Sequence, residues 1–331
     1  MQRVDAPAAP SGYSQIRGST EPGLFVEPRL TNDSSHAPKS QAFPEVRALV
    51  QLLKPVTWFP PMWAFLCGAV SAGVSLGAHW MVLIAGVVLA GPLVCGGSQI
   101  VNDWYDRHVD SINEPDRPIP SGRVPGSWAF YFAISWSVLA LLYSVAFGPI
   151  VFFATSVAVL FAWAYSAPPV RLKRNGWLGN AAVALSYEGL AWVTGAAIVL
   201  DGTIPDSRIL VLALVFSVGA HGIMTLNDFK SVEGDLRVGL RSLPAIYGPE
   251  HAARMACWTM ALAQLVAVAF LLSWGFLLVA GIVSCSIFLQ LLAMRRLLSD
   301  PKGLAPWYNG TGVVLYVLGM MISATALHGA T

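Results

Sequence analysis

The sequence predicts an all-α integral membrane protein of nine transmembrane helices, and three observations predict it. Hydrophobic residues make up 55% of the chain and charged residues only 11%, where soluble domains carry about a quarter. From about residue 56 onward, apolar runs long enough to span a bilayer, about 20 residues each, alternate with short connections. The lysines and arginines are distributed with one sign of asymmetry. Of the 20, only Arg208 falls in the connections that follow odd-numbered runs.

The elements follow in chain order. Residues 1–44 are rich in Pro, Ser, Ala and Gly with mixed charge and no hydrophobic period, which predicts a flexible cytoplasmic tail ahead of a membrane domain at 45–331. No apolar stretch lies near Met1, so no cleaved secretory signal is expected. The spans are expected at about 56–76, 81–104, 127–147, 149–166, 178–200, 207–228, 252–272, 275–297 and 307–327. Gly148-Pro149 and the segment Asp201 to Ser207 break the runs, and the third and fourth spans, like the seventh and eighth, read as helical hairpins. Six cations from Arg3 to Lys54 precede the first span. With the other lysines and arginines they place the N-terminus and the even-to-odd connections in the cytoplasm. The cysteines, Cys67, Cys95, Cys257 and Cys285, are scattered singly and form no C-x-x-C pair, so neither a zinc site nor a disulfide framework is expected.

Two stretches break the apolar pattern. "NDWYDRHVD", Asn102 to Asp110, closes the second span, and "NDFKSVEGD", Asn227 to Asp235, closes the sixth. Residues four apart share a helix face, so Asn102, Asp106 and Asp110 form one stripe, whereas Asp103 points about 100° away from Asn102. The same spacing picks out Asn227, Ser231 and Asp235, with Asp228 and Glu233 nearby. Two facing carboxylate stripes suit a hard divalent cation such as Mg²⁺, which bridges carboxylates to substrate phosphate. A single D-x-x-x-D is more often a solvated helix end. Two matching stretches on one membrane side argue for a site, because ionisable groups at membrane depth are functional by default.

A third element, "YSAPPVRLKRNGWLGN", runs from Tyr165 to Asn180. Arg171, Lys173 and Arg174 supply cations where a diphosphate needs neutralising, although the rule of positive cytoplasmic loops alone also places basic residues here. Tyr165 offers an aromatic face to packing or to a developing carbocation. No histidine lies on an acidic stripe, and His221, six residues before Asn227, reads as a hydrogen-bonded interior histidine.

Together "NDWYDRHVD", "RPIPSGR" (Arg117 to Arg123), "YSAPPVRLKR" and "NDFKSVEGD" resemble the UbiA superfamily of intramembrane prenyltransferases over nearly all of the chain after the tail. The resemblance implies nine helices around a central cavity, with Mg²⁺ activating an isoprenyl diphosphate. "INEPDRPIPSGRVPG", "LNDFKSVEGD" and "RSLPAIYG" look most like the chlorin-esterifying branch, the bacteriochlorophyll side of it above all. That implies geranylgeranyl or phytyl diphosphate and bacteriochlorophyllide as substrates in a bacterial inner, photosynthetic membrane, with no nucleic-acid partner. Partners from a pigment-synthesis or photosynthetic assembly are compatible with it. Asn102, Asp106, Asp110, Asp228 and Asp235 are then the expected metal ligands. Arg117, Tyr165, Arg171, Lys173, Arg174, Asn227 and Lys230 are the expected substrate contacts. Where many members carry an acid, this chain has Ser231. Chlorophyllide, a quinone precursor or haem are the rival acceptors, and a cation-coupled transporter is the rival outside the class.

Overall fold

A computed structural model describes residues 43–328, so the expected tail, apart from its last two residues, lies outside the described residues. The described residues form helices, with one isolated bridge and no strand. Eight helices among them are long and apolar enough to cross a membrane, and the chain is an all-α membrane protein.

A short helix, α1 (Val46–Leu52), leads into a turn at Pro55 and then α2 (Phe59–Ser71). The first expected span is thus realised as 13 helical residues, fewer than the 20 or so that cross a bilayer unaided. The proline-led turn delays its start, and Gly73, at φ 74°, follows its end. The second span is longer than expected. Helix α3 (Trp80–Val88) passes through a π-helical turn, Leu89–Cys95, into α4 (Gly96–Asn113). At about 1.5 Å per residue, the 34 residues from Trp80 to Asn113 extend about 50 Å, well beyond a hydrocarbon core of about 30 Å. The acidic stretch rides on the projecting end.

The expected hairpins form: α5 (Trp128–Val145) with α6 (Pro149–Ser166), and α12 (Pro249–Ser273) with α13 (Leu277–Leu297). The fifth span is α7 (Gly176–Ala184), a second π-helical turn at Leu185–Leu190, and α8 (Ala191–Val199). Helix α9 (Ser207–Asn227) ends in a 3₁₀ turn, Asp228–Lys230, before the short α10 (Val232–Val238) and α11 (Leu243–Tyr247). Helices α14 (Pro301–Asn309) and α15 (Gly312–His328) finish the described chain.

The core is built on close helix contact. Trp192 stacks on Phe216 at 5.7 Å, and Phe216 meets Tyr316 edge-on at 5.6 Å. Helix α2 presses against α8 so closely that a Cβ on Gly68 would strike the carbonyl of Trp192, and one on Gly195 the carbonyl of Phe65. Small residues at such crossings let backbones approach where lipid offers no hydrophobic drive between helices. Gly195→Val is therefore expected to destabilise the bundle by about 1–3 kcal/mol through overpacking, read as a lowered unfolding temperature in detergent. Gly281→Ala, with open space around its Cβ position, should leave that temperature unchanged.

Candidate active site at the acidic end of the bundle

Helix α4 presents its acids to two different neighbours. On one side, Asn102 Nδ2 donates to Asp106 Oδ2 at 3.0 Å and to Ser166 Oγ at 3.4 Å. Lys173 Nζ donates to both Asp106 oxygens, at 2.5 and 2.6 Å, and Arg171 reaches Oδ1 at 3.4 Å. Lys173 is almost enclosed, its side chain 6% exposed. Burial pulls its ammonium below the ordinary lysine value; Asp106 opposes that shift and Arg171 adds to it.

On the other side, Lys54 donates to the buried Asp103 at 2.6 Å. Arg117 bridges Asp110 at 2.8 Å, Glu114 at 2.6 Å and Asp103 at 3.7 Å. Simple helix geometry accounts for the division. Eight residues at about 100° each turn Asp110 about 80° from Asn102, so it ends only about 20° from Asp103. Asp110 therefore shares Arg117 with Asp103, and Arg117 spends its guanidinium on these acids. Lys54 was not among the residues singled out by sequence, although its place just before Pro55 and the first span marks it. Lys54 and Arg171 both hold left-handed backbone, at φ 45° and 40°, a conformation costly for non-glycine residues and common at functional sites. They deliver their cations to opposite sides of α4.

The second stretch does not form one continuous helical stripe. The 3₁₀ turn at Asp228–Lys230 breaks it, stabilised by Ser231 Oγ donating to the Asp228 carbonyl at 3.1 Å. Ser231 Oγ also lies 3.1 Å from Asp235 Oδ2, so its one proton is shared between that carboxylate and the Asp228 carbonyl. Asp228 accepts from Asn180 Nδ2 at 3.0 Å, and Asn180 also reaches Thr225 Oγ1 at 3.4 Å. Asn227 turns away and accepts from Asn309 at 3.1 Å. Arg174 and Lys230 are exposed, and among the described residues neither forms an ion pair. Asp228 and Asp235 from the second stretch and Asp106 from the first are all near enough for their charges to act on the Tyr165 hydroxyl.

The intervening loops are tied to each other. Gly176 N–H donates to the Arg241 carbonyl at 2.9 Å, and Arg241 N–H to the Arg174 carbonyl at 3.2 Å. A side chain at 176 would strike that strand-like contact, with Arg241 O and Leu243 N each 2.8 Å from its Cβ. Asn175 caps α7 by accepting from Trp177 and Leu178 N–H. Trp177 stacks on His221 at 5.2 Å, and His221 Nε2 meets the Trp177 carbonyl at 3.2 Å. That bond is the hydrogen-bonded state the sequence predicts for His221.

Among the described residues no three His, Cys, Asp or Glu side chains stand ready as a metal cluster. The donor set nevertheless suits a hard cation. Asn102 has committed its nitrogen and keeps its carbonyl oxygen free of bonds among the described residues. Asp106, Asp228 and Asp235 are the acids whose charges reach Tyr165, and oxygen-only donors of this kind favour Mg²⁺ over softer metals. An ion held there would compete with the Lys173 ammonium for the Asp106 oxygens.

Residues 57–325 match the model of the UbiA prenyltransferase family. The chain is 56% identical over 289 residues to the "Bacteriochlorophyll synthase 33 kDa chain" of Cereibacter sphaeroides, covering 87% of this chain and 95% of that one. It is 38% identical to "Chlorophyll synthase, chloroplastic" of Avena sativa, covering 84% and 75%. A solved UbiA homolog from Archaeoglobus fulgidus, bound to DMAPP and Mg²⁺, superposes with a TM-score of 0.65 at 20% identity, covering 83% of this chain and 99% of that one.

Removing Lys54 would leave the buried Asp103 with only the more distant Arg117, at 3.7 Å, at a cost of about 1–3 kcal/mol. Lys54→Met should lower the unfolding temperature in detergent, and adding Asp103→Asn should recover most of the loss in a double-mutant cycle.

Proposed function

The chain belongs to the UbiA prenyltransferase family, and on that premise we propose that it esterifies the propionate carboxylate of bacteriochlorophyllide. The donor is geranylgeranyl or phytyl diphosphate, pyrophosphate is released, and the reaction is the last step of bacteriochlorophyll synthesis. The observation that carries this reading is the likeness to the Cereibacter sphaeroides protein, which runs through nearly all of both chains. The site lies at the cytoplasmic end of the bundle in a bacterial inner, photosynthetic membrane, with the N-terminus on the same side.

The residues divide the work. Asn102, Asp106, Asp228 and Asp235 would hold Mg²⁺, with Asp110 supporting them from the next turn of α4. The bound ion supplies Lewis-acid neutralisation of the diphosphate, worth several kcal/mol. Lys173 and Arg171 move their charge from Asp106 to the phosphate oxygens, and Arg174 and Lys230, exposed at the rim, add to the cationic field. Arg117 keeps Asp110 in place. Tyr165 turns its ring toward the allylic carbon and stabilises the positive charge that develops as the C–O bond to the diphosphate lengthens. The acceptor carboxylate is ionised at neutral pH, so it attacks without a dedicated base. The enclosing helices keep water from competing for the carbocation.

Asp106→Ala should lower esterification about a thousandfold or more while membrane insertion remains normal, as measured by pigment-ester formation and by membrane fractionation. Chelation of divalent metal should stop pyrophosphate release, and added Mg²⁺ should restore it. Among bacteriochlorophyllide, chlorophyllide, hydroxybenzoate and haem, purified protein should turn over bacteriochlorophyllide fastest. Turnover of a phenolic acceptor alone would overturn the pigment reading, and transport without pyrophosphate release would overturn the enzymatic one.

A further inference from the structure

One helical turn inward from Asn102, the stripe on α4 changes from acids to neutral hydrogen-bonding groups. Ser98 lies four residues before Asn102 and so on its face, with Gln99 beside it. Both meet Tyr187 of the fifth span. Gln99 Nε2 donates to the Tyr187 hydroxyl at 3.1 Å, and that hydroxyl lies 2.9 Å from Ser98 Oγ. Ser98 Oγ donates to the Cys95 carbonyl at 2.7 Å, so the Tyr187 proton is the one that serves the Ser98 contact. Ser98, Gln99 and Tyr187 are each partly buried as residues.

The backbone singles out the same place. Among the described residues there are two π-helical turns, a rare winding concentrated at functional sites. The first ends at Cys95, which supports Ser98, and the second contains Tyr187. In that second turn Ser186 Oγ and Glu188 Oε2 are buried without a partner among the described residues, so the turn keeps unspent polar capacity.

We propose that Gln99 and Tyr187 form the subsite for the acceptor's carboxylate, an inference that rests on the function proposed above. Two anionic substrates must be held side by side. The diphosphate takes the cations at the helix end, so the second anion needs donors that carry no competing positive charge. Gln99 has a second amide proton, and Tyr187 can exchange its neutral bond to Ser98 for a charge-assisted one, about twice as strong. The subsite lies about 5.4 Å, one turn, inside the diphosphate site, where the allylic carbon must sit. From there a carboxylate oxygen forms the new C–O bond as the bond to diphosphate breaks and pyrophosphate leaves with its electron pair. Neutral donors orient the carboxylate and leave it nucleophilic.

The test is binding of bacteriochlorophyllide and of its propionate methyl ester to the purified full-length protein, without prenyl diphosphate, followed by pigment fluorescence. Wild-type protein should favour the free acid by about tenfold or more, the worth of a hydrogen bond to a charged group. Tyr187→Phe and Gln99→Leu should each erase most of that preference, with the KM for geranylgeranyl diphosphate unchanged. A purely structural role would weaken acid and ester equally, and that result, or a preference surviving in both variants, overturns the subsite. If wild-type protein esterifies the pigment yet the preference survives, the subsite alone falls. If wild-type protein binds neither pigment, the functional reading falls with it.

Discussion

The contact between Lys173 and Asp106 organises the acidic end. It joins the loop after α6 to the projecting end of α4, and it does so with groups that the proposed reaction needs for something else. A carboxylate without a cation would be costly in this enclosed position, and so would an ammonium without an anion. Each therefore holds the other until substrates arrive. On the proposed function, substrate entry would be an exchange of partners: a bound cation would take the place of ammonium on Asp106, and phosphate that of carboxylate on Lys173. Charge is redistributed within the site, and little of it has to be created or buried anew.

The same contact explains why the loops are built as they are. Arg171 reaches Asp106 from left-handed backbone, and the residues just after it are pinned to the chain near α11 through Gly176 and Arg241. The Trp177–His221 stack secures that junction to α9. The cations beside Asp106 are thus carried by a segment fixed to α4 at its start, to the connection before α11 in its middle and to α9 at its end. Such rigidity lets a loop position charge with the accuracy more often found on helices.

Much of this was legible in the sequence, because lipid imposes strong rules. Spans announce themselves by length and composition, and the two hairpins by Gly and Pro. The first stretch was legible as far as Asn102 and Asp106, since the helix there is unbroken. It became less so at Asp110, where accumulated drift of about 40° per four residues carries the side chain to the Arg117 side. The second stretch is less legible, because spacing rules assume an unbroken helix and the 3₁₀ turn at Asp228–Lys230 interrupts it. Partners supplied from far away in the chain left no periodic trace. Asn180 on Asp228, Asn309 on Asn227 and Lys54 on Asp103 depend on how spans pack side by side.

The continuous run from Trp80 to Asn113 gives the bundle a depth gauge. Its apolar part must match the hydrocarbon thickness, so the depth of Asp106 relative to the bilayer is set by the lipid as much as by the fold. Ser98 and Gln99 on the same rod stay a fixed step below. Membrane thickness and the two levels of chemistry are thereby coupled mechanically. A thicker or thinner bilayer would tilt the rod and shift both levels together, preserving their separation while changing their access to water.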